Sequence, residues 1–159
     1  MEKDHIIANL SNFLTQIGIE VIEEKINVET FLPGLLIRNG SIVFDRNSLL
    51  YPGDLLHEAG HIAVTDSPGR KLLNGNITTI QSDNESLESA VLLWTFAACN
   101  TLAIDPEIVF HKDGYKGQSE WLLTNFRSAS YIGLPLLVWM GMTTNDKLSG
   151  FPNMLRWLR

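Results

Sequence analysis

Asn39-Gly40 constrains this chain's local geometry more than any other dipeptide in it. It lies between two apolar runs, Leu35-Leu36-Ile37-Arg38 and Ser41-Ile42-Val43-Phe44. A two-residue hairpin turn needs positive φ at both central positions, and Asn-Gly meets that need with little strain. A β-hairpin is expected, with Pro33-Gly34 turning the chain into it. Upstream, Ile6, Ile7, Leu10, Phe13, Leu14 and Ile17 recur at helical spacing, so residues 5–17 read as a helix stopped by Gly18. Ile19 to Ile22 mixes apolar and acidic residues and suits a short strand.

Downstream the chain reads as mostly helical. A helix should begin near Gly53-Asp54 and present Leu55, Leu56, Ala59, Ile62 and Ala63, with Asp66 to Gly69 ending it. Leu72 to Gln81 is a polar connection with room for a strand at Ile77 to Ile80. A long helix should run from Ser82-Asp83-Asn84 to about Ala103. Asp105-Pro106 then has the form of an N-cap and first position of a short helical turn. Residues 117–127 look helical, and the apolar run Ser128 to Thr144 is broken by Gly133 and Pro135. Trp94, Trp121 and Trp139 sit in apolar segments and read as core, as does Tyr131 to Met142. Trp157 is an apolar anchor in the tail. The expected fold class is α+β, a small sheet with several helices and a helical C-terminal third, in a single domain spanning 1–159.

Composition narrows the function classes. The chain has 45% hydrophobic and 19% charged residues, a globular balance, and a formal net charge of −6. No basic run exceeds two residues, which argues against a nucleic-acid or anionic-membrane surface. Its one cysteine, Cys99, cannot form an internal disulfide and lies in an apolar stretch, so it reads as a small core residue. The N-terminal residues lack the pattern of a signal peptide. The uncharged run Ser89 to Ile104 is shorter than the roughly 20 residues of a membrane helix and contains Thr95, Asn100 and Thr101. A soluble cytoplasmic protein is expected.

The expected helix after Pro52 carries His57-Glu58-Ala59-Gly60-His61. Histidines four apart on a helix lie on one face, one turn apart. Two neutral imidazoles so placed can share one tetrahedral zinc ion. Glu58 lies about 100° further round the helix, where a carboxylate can take a proton from a water at the metal. Gly60 costs about 1 kcal/mol against alanine in a helix interior, and is tolerated where another segment must approach closely.

This HExxH string, inside a helix that follows a hairpin, resembles the zincin metallopeptidases. The resemblance covers roughly residues 35–98. It implies that His57 and His61 bind zinc, that Glu58 is the general base and that the fold is a minimal zincin-like domain. The metzincin branch would place a glycine and a third histidine where this chain has Val64 and Ser67, which excludes it. The gluzincin branch takes a third ligand from a glutamate on a later helix, and Glu85 and Glu88 are suitably placed. His111 is a further candidate.

Ser82-Asp83-Asn84-Glu85 has the form of a capping box, which would turn Glu85 back onto the backbone. Glu88 sits at the edge of an apolar helical stretch, where a carboxylate needs a partner or a metal, so Glu88 is favoured with Glu85 as the alternative. Many zincins also use a histidine or tyrosine to stabilise the oxyanion. His111, Tyr115 and Tyr131 are the residues here that could donate such a hydrogen bond. The resemblance implies a zinc-dependent hydrolase acting on a peptide or other amide. The alternative is a non-catalytic zinc-binding or scaffold protein, for which a fourth position closed by His111 would be the sign.

Overall fold

Asn39 and Gly40 adopt φ of 49° and 76°, and the hairpin forms where the dipeptide predicts it. In this computed structural model the chain is α+β. The structure describes residues 2–75 and 82–159, excepting the side chains of residues 82–86. The elements in chain order are α1 (Glu2–Ile17), β1 (Val21–Glu23), β2 (Leu35–Arg38), β3 (Ser41–Phe44), α2 (Asp54–Val64), α3 (Ser67–Arg70), α4 (Ser82–Leu102), α5 (Ser119–Arg127) and α6 (Leu134–Trp139). Single 3-10 turns at Pro106–Ile108 and Tyr115–Gly117 lie between α4 and α5.

The sheet order is β1-β3-β2. β2 pairs antiparallel with β3, Arg38 opposite Ser41 and Leu35 opposite Phe44. β1 lies parallel to β3 on its other side, Val21 opposite Ile42. β3 is thus the central strand, and all four of its residues are buried. The first strand begins two residues later than the alternation suggests: Ile19 is buried ahead of it.

Helix boundaries depart from the apolar pattern where polar residues set them. α1 starts three residues early, because Glu2 and Asp4 favour the positive end of a helix while adding nothing to its apolar face. α2 stops at Val64, one turn sooner than expected. Thr65 is extended, and Asp66 begins α3 by accepting the Gly69 N–H at 2.8 Å. Asp66 to Gly69 is therefore the start of a new helix, not the end of α2. Asp105 caps its helical turn as expected. The strand expected at residues 77–80 lies outside the described residues.

The core lies between α2, α4 and the inner faces of α1 and the sheet. Trp94 is fully buried, and its Nε1–H donates to the Trp157 carbonyl at 3.0 Å. The Trp157 ring meets Phe13 and Trp94 edge-on, at centroid distances of 5.1 and 5.6 Å, so the tail anchor docks on the body. Cys99 is buried. Trp121 and Trp139 are not core, being 54% and 69% exposed. The inward face of α5 is Ser119, Leu122, Leu123 and Phe126, which turns Trp121 outward. In the six residues of α6 only Leu137 is fully buried, and Trp139 lies 4.8 Å under the Arg159 guanidinium. The Tyr131 to Met142 stretch is therefore partly surface. The chain enters α6 through Gly133, at φ +95°, where a Cβ would lie 2.4 Å from the Ser89 carbonyl oxygen on α4. No helix among the described residues is long and apolar enough to cross a membrane.

Candidate metal centre

α2 and α4 can place side chains from both helices at one point because they pack at Gly60. A Cβ there would lie 2.9 Å from Val91 Cγ1 and 3.3 Å from both Thr95 Oγ1 and Trp94 Cε3. Only a residue without a side chain lets α4 this close. The contact brings Glu88 of α4 against the two histidines of α2.

Glu88 offers one carboxylate oxygen to each imidazole. Oε1 is 3.4 Å from His57 Nε2, and Oε2 is 3.4 Å from His61 Nε2. Both separations exceed ordinary N–H···O hydrogen bonds. Two donors about 2.0–2.1 Å from a tetrahedral zinc would be roughly 3.3–3.5 Å apart, so the spacing fits an ion shared between them. His57, His61 and Glu88 form a cluster that could hold a metal ion, with their donor atoms within 4.8 Å of one another. His61 is buried, and His57 and Glu88 are half-buried. The Glu85 side chain lies outside the described residues.

Burial keeps the imidazoles in the neutral form that binds metal. It drives His57 well below its ordinary pKa, with the charges of His61 and His111 adding to the effect. It lowers His61 to about 4. Burial pushes Glu88 up to about 7, against the opposing pull of Lys116. Burial, then the carboxylates of Asp54 and Glu88, lifts Glu58 to about 8. Glu88 Oε2 and His57 Nδ1 have no hydrogen-bond partner among the described residues, though both are buried. A metal-free pocket of mutually unfavourable carboxylates and neutral imidazoles is what a cation would stabilise.

The cluster opens onto a cleft of about 920 Å³, whose lining includes His57, Glu58, Glu88, His111, Tyr115 and Lys116. His111 is not in the cluster. Its Nε2 lies 2.9 Å from Asp54 Oδ1, and its ring stacks on Tyr51 at 3.8 Å. Tyr51 in turn donates its hydroxyl to Asp113 Oδ2 at 2.5 Å. The backbone of Gly53 permits this arrangement, because a Cβ there would lie 2.3 Å from the Ile108 carbonyl oxygen. The Tyr115 ring packs edge-on against His57 at 5.2 Å and tilted against Phe110 at 5.1 Å. Its buried hydroxyl has no partner among the described residues, and burial raises its pKa well above the ordinary value. Tyr131 is elsewhere, 4.6 Å from the Phe151 ring.

His57, Glu58, Glu88, His111 and Tyr115 therefore meet in one cleft, while Tyr131 does not. Sequence reading missed Asp54, Tyr51, Asp113 and Lys116 as parts of this cleft. Asp54 carried a usable signal: it lies three residues before His57 and seven before His61, on the same helical face. The other three reach the cleft through loop packing, which leaves no periodic trace.

No family model, curated protein or solved structure matches the chain.

Proposed function

We propose that this protein is a zinc-dependent hydrolase, of zincin type with a glutamate third ligand, acting on a peptide or other amide bond. The observation that carries the reading is the juxtaposition of His57, His61 and Glu88 with Glu58 on the wall of the same cleft. Two imidazoles and one carboxylate suit zinc, and three protein ligands are the number found at catalytic zinc sites. When bound, zinc supplies Lewis acidity and lowers the pKa of water.

The chain's own residues do the rest. His57, His61 and Glu88 would hold the ion. Glu58 takes the proton of the attacking water and returns it to the leaving amine. A divalent cation held beside Glu58 would lower its pKa from the metal-free value of about 8. Tyr115, whose hydroxyl has no partner among the described residues, donates a hydrogen bond to the developing oxyanion, while His111, its Nε2 already engaged by Asp54, walls the cleft beside it. The open cleft and the engagement of His111 with Asp54 favour this reading over a closed structural zinc site.

The test combines metal analysis with Glu58→Gln, assayed on a quenched-fluorescence peptide library. The wild type should carry one zinc per chain and cleave library members. Glu58→Gln should keep the zinc and lose cleavage by at least about a hundredfold. A wild type that binds no zinc, or a Glu58→Gln protein as active as the wild type, rules the mechanism out.

A further inference from the structure

Tyr115, Lys116 and Gly117 have φ of 58°, 54° and 77°, three successive residues in the left-handed region, two of them with side chains. Such strain persists only where the surroundings over-determine it. Here they do. The Tyr115 ring is held between His57 and Phe110. The Gly114 N–H donates to the His111 carbonyl at 3.2 Å, the Gln118 N–H to Tyr115 at 3.0 Å, and the Ser119 hydroxyl to His111 at 2.6 Å. The turn leaves Lys116 exposed on the rim of the cleft, near enough for its charge to act on the Glu88 carboxyl.

Charge accounting in the cleft singles this lysine out. It is the one Lys or Arg among the described lining residues. Asp54 is engaged by His111, and Asp113 accepts from Tyr51. In the proposed mechanism Glu88 is a metal ligand and Glu58 is the base. The ammonium of Lys116 makes no hydrogen bond or ion pair among the described residues.

We propose that Lys116 is a specificity residue that binds a carboxylate of the substrate, so that the cleft selects peptides presenting a negative charge close to the scissile bond. The proposal deepens the hydrolase reading and rests on it. The carboxylate comes either from the peptide C-terminus or from an Asp or Glu side chain, and the experiment separates the two.

Binding is measured by titration calorimetry on Glu58→Gln protein, with and without zinc. One probe pair is N-acetyl-Ala-Ala-Leu as free acid and as C-terminal amide. The other is N-acetyl-Ala-Asp-Ala amide and its Asn counterpart. The acidic member of at least one pair should bind about tenfold tighter than its neutral partner, the ratio expected for one charge-assisted hydrogen bond. Lys116→Met should abolish that preference and Lys116→Arg should keep it. The pair that shows the preference identifies the source. No binding, no preference in either pair, or a preference that survives Lys116→Met overturns the proposal. Failed zinc loading tells against the hydrolase reading alone, because the charge preference is also read without metal.

Discussion

Asp54 holds His111 by a 2.9 Å contact between Oδ1 and Nε2, from one turn ahead of His57 on the same helix. The pair ties the loop after α4 to the N-terminal turn of α2, so the orientation of one imidazole depends on a buried carboxylate. Asp54→Ala should leave zinc content unchanged. It should lower peptide cleavage about ten- to a hundredfold, the cost of a cleft wall displaced by about 1 Å beside the reacting groups. Loss of zinc in parallel with activity would instead mean that Asp54 supports the ligands. Zinc analysis and kcat/KM on one set of samples separate the two.

The helix contact at Gly60 predicts an asymmetric double mutant. Gly60→Ala gains about 1 kcal/mol of helix propensity. It also drives a Cβ to 2.9 Å from the stiff Val91 side chain, an overpacking cost of about 1–3 kcal/mol. The net effect should be a loss of about 1 kcal/mol in urea unfolding. Val91→Ala should cost more alone than in the Gly60→Ala background. Additive effects would show that the helices are not limited by this contact.

The metal-free chain should show an unusual pH dependence. His57 and His61 resist protonation, His61 down to about 4 against 6.5. Below 6.5 the unfolded chain binds more protons, so these two groups cost stability as pH falls from 6.5 towards 4. Glu88 and Glu58 keep their protons up to about 7 and about 8 against 4.5. Above 4.5 the folded chain binds more protons, so these two cost stability as pH rises towards 8. The slopes oppose one another up to 6.5, and above it the glutamates act alone. Chelator-treated protein should therefore lose stability between pH 6.5 and roughly pH 8, whereas stabilisation by added zinc should grow over that window. A metal-free midpoint that climbs through this range would contradict the arrangement.

Lys116 offers a test of stored strain. A residue with a side chain in the left-handed region costs about 1–2 kcal/mol. Glycine removes that cost but adds about 0.5–1 kcal/mol of chain entropy. Lys116→Gly should thus stabilise the protein by about 0.5–1 kcal/mol, read as a higher urea midpoint, while Lys116→Met changes little. A destabilised Lys116→Gly would show that the lysine side chain supports the fold.

What was legible in the sequence follows the range of the forces involved. Asn39-Gly40 specified a turn from two residues, α1 and α2 announced themselves by one apolar face each, and α4 by the polar start at Ser82-Asp83-Asn84 and the uncharged run Ser89 to Ile104. The two histidines share a face by helical period alone. Glu88 emerged from a cost argument about a carboxylate entering an apolar helix. Trp121 was misread because apolar neighbours in sequence are not neighbours on a helix: α5 buries residues three and four apart and turns the intervening tryptophan out. Tyr51, Asp113 and Lys116 were invisible because nothing local distinguishes a loop residue that faces a cleft from one that faces water.

The α6 entry at Gly133 has one more implication. Its backbone presses on the carbonyl of Ser89, the residue immediately after Glu88. The helical C-terminal third therefore acts as a buttress behind Glu88, the one member of the candidate metal cluster that α2 does not supply. Two histidines on a single helix stay correctly spaced whatever surrounds them, but the carboxylate arrives by tertiary packing alone. Slackening anywhere in that buttress would be felt as weakened metal affinity, at a distance from the motif that makes the site recognisable.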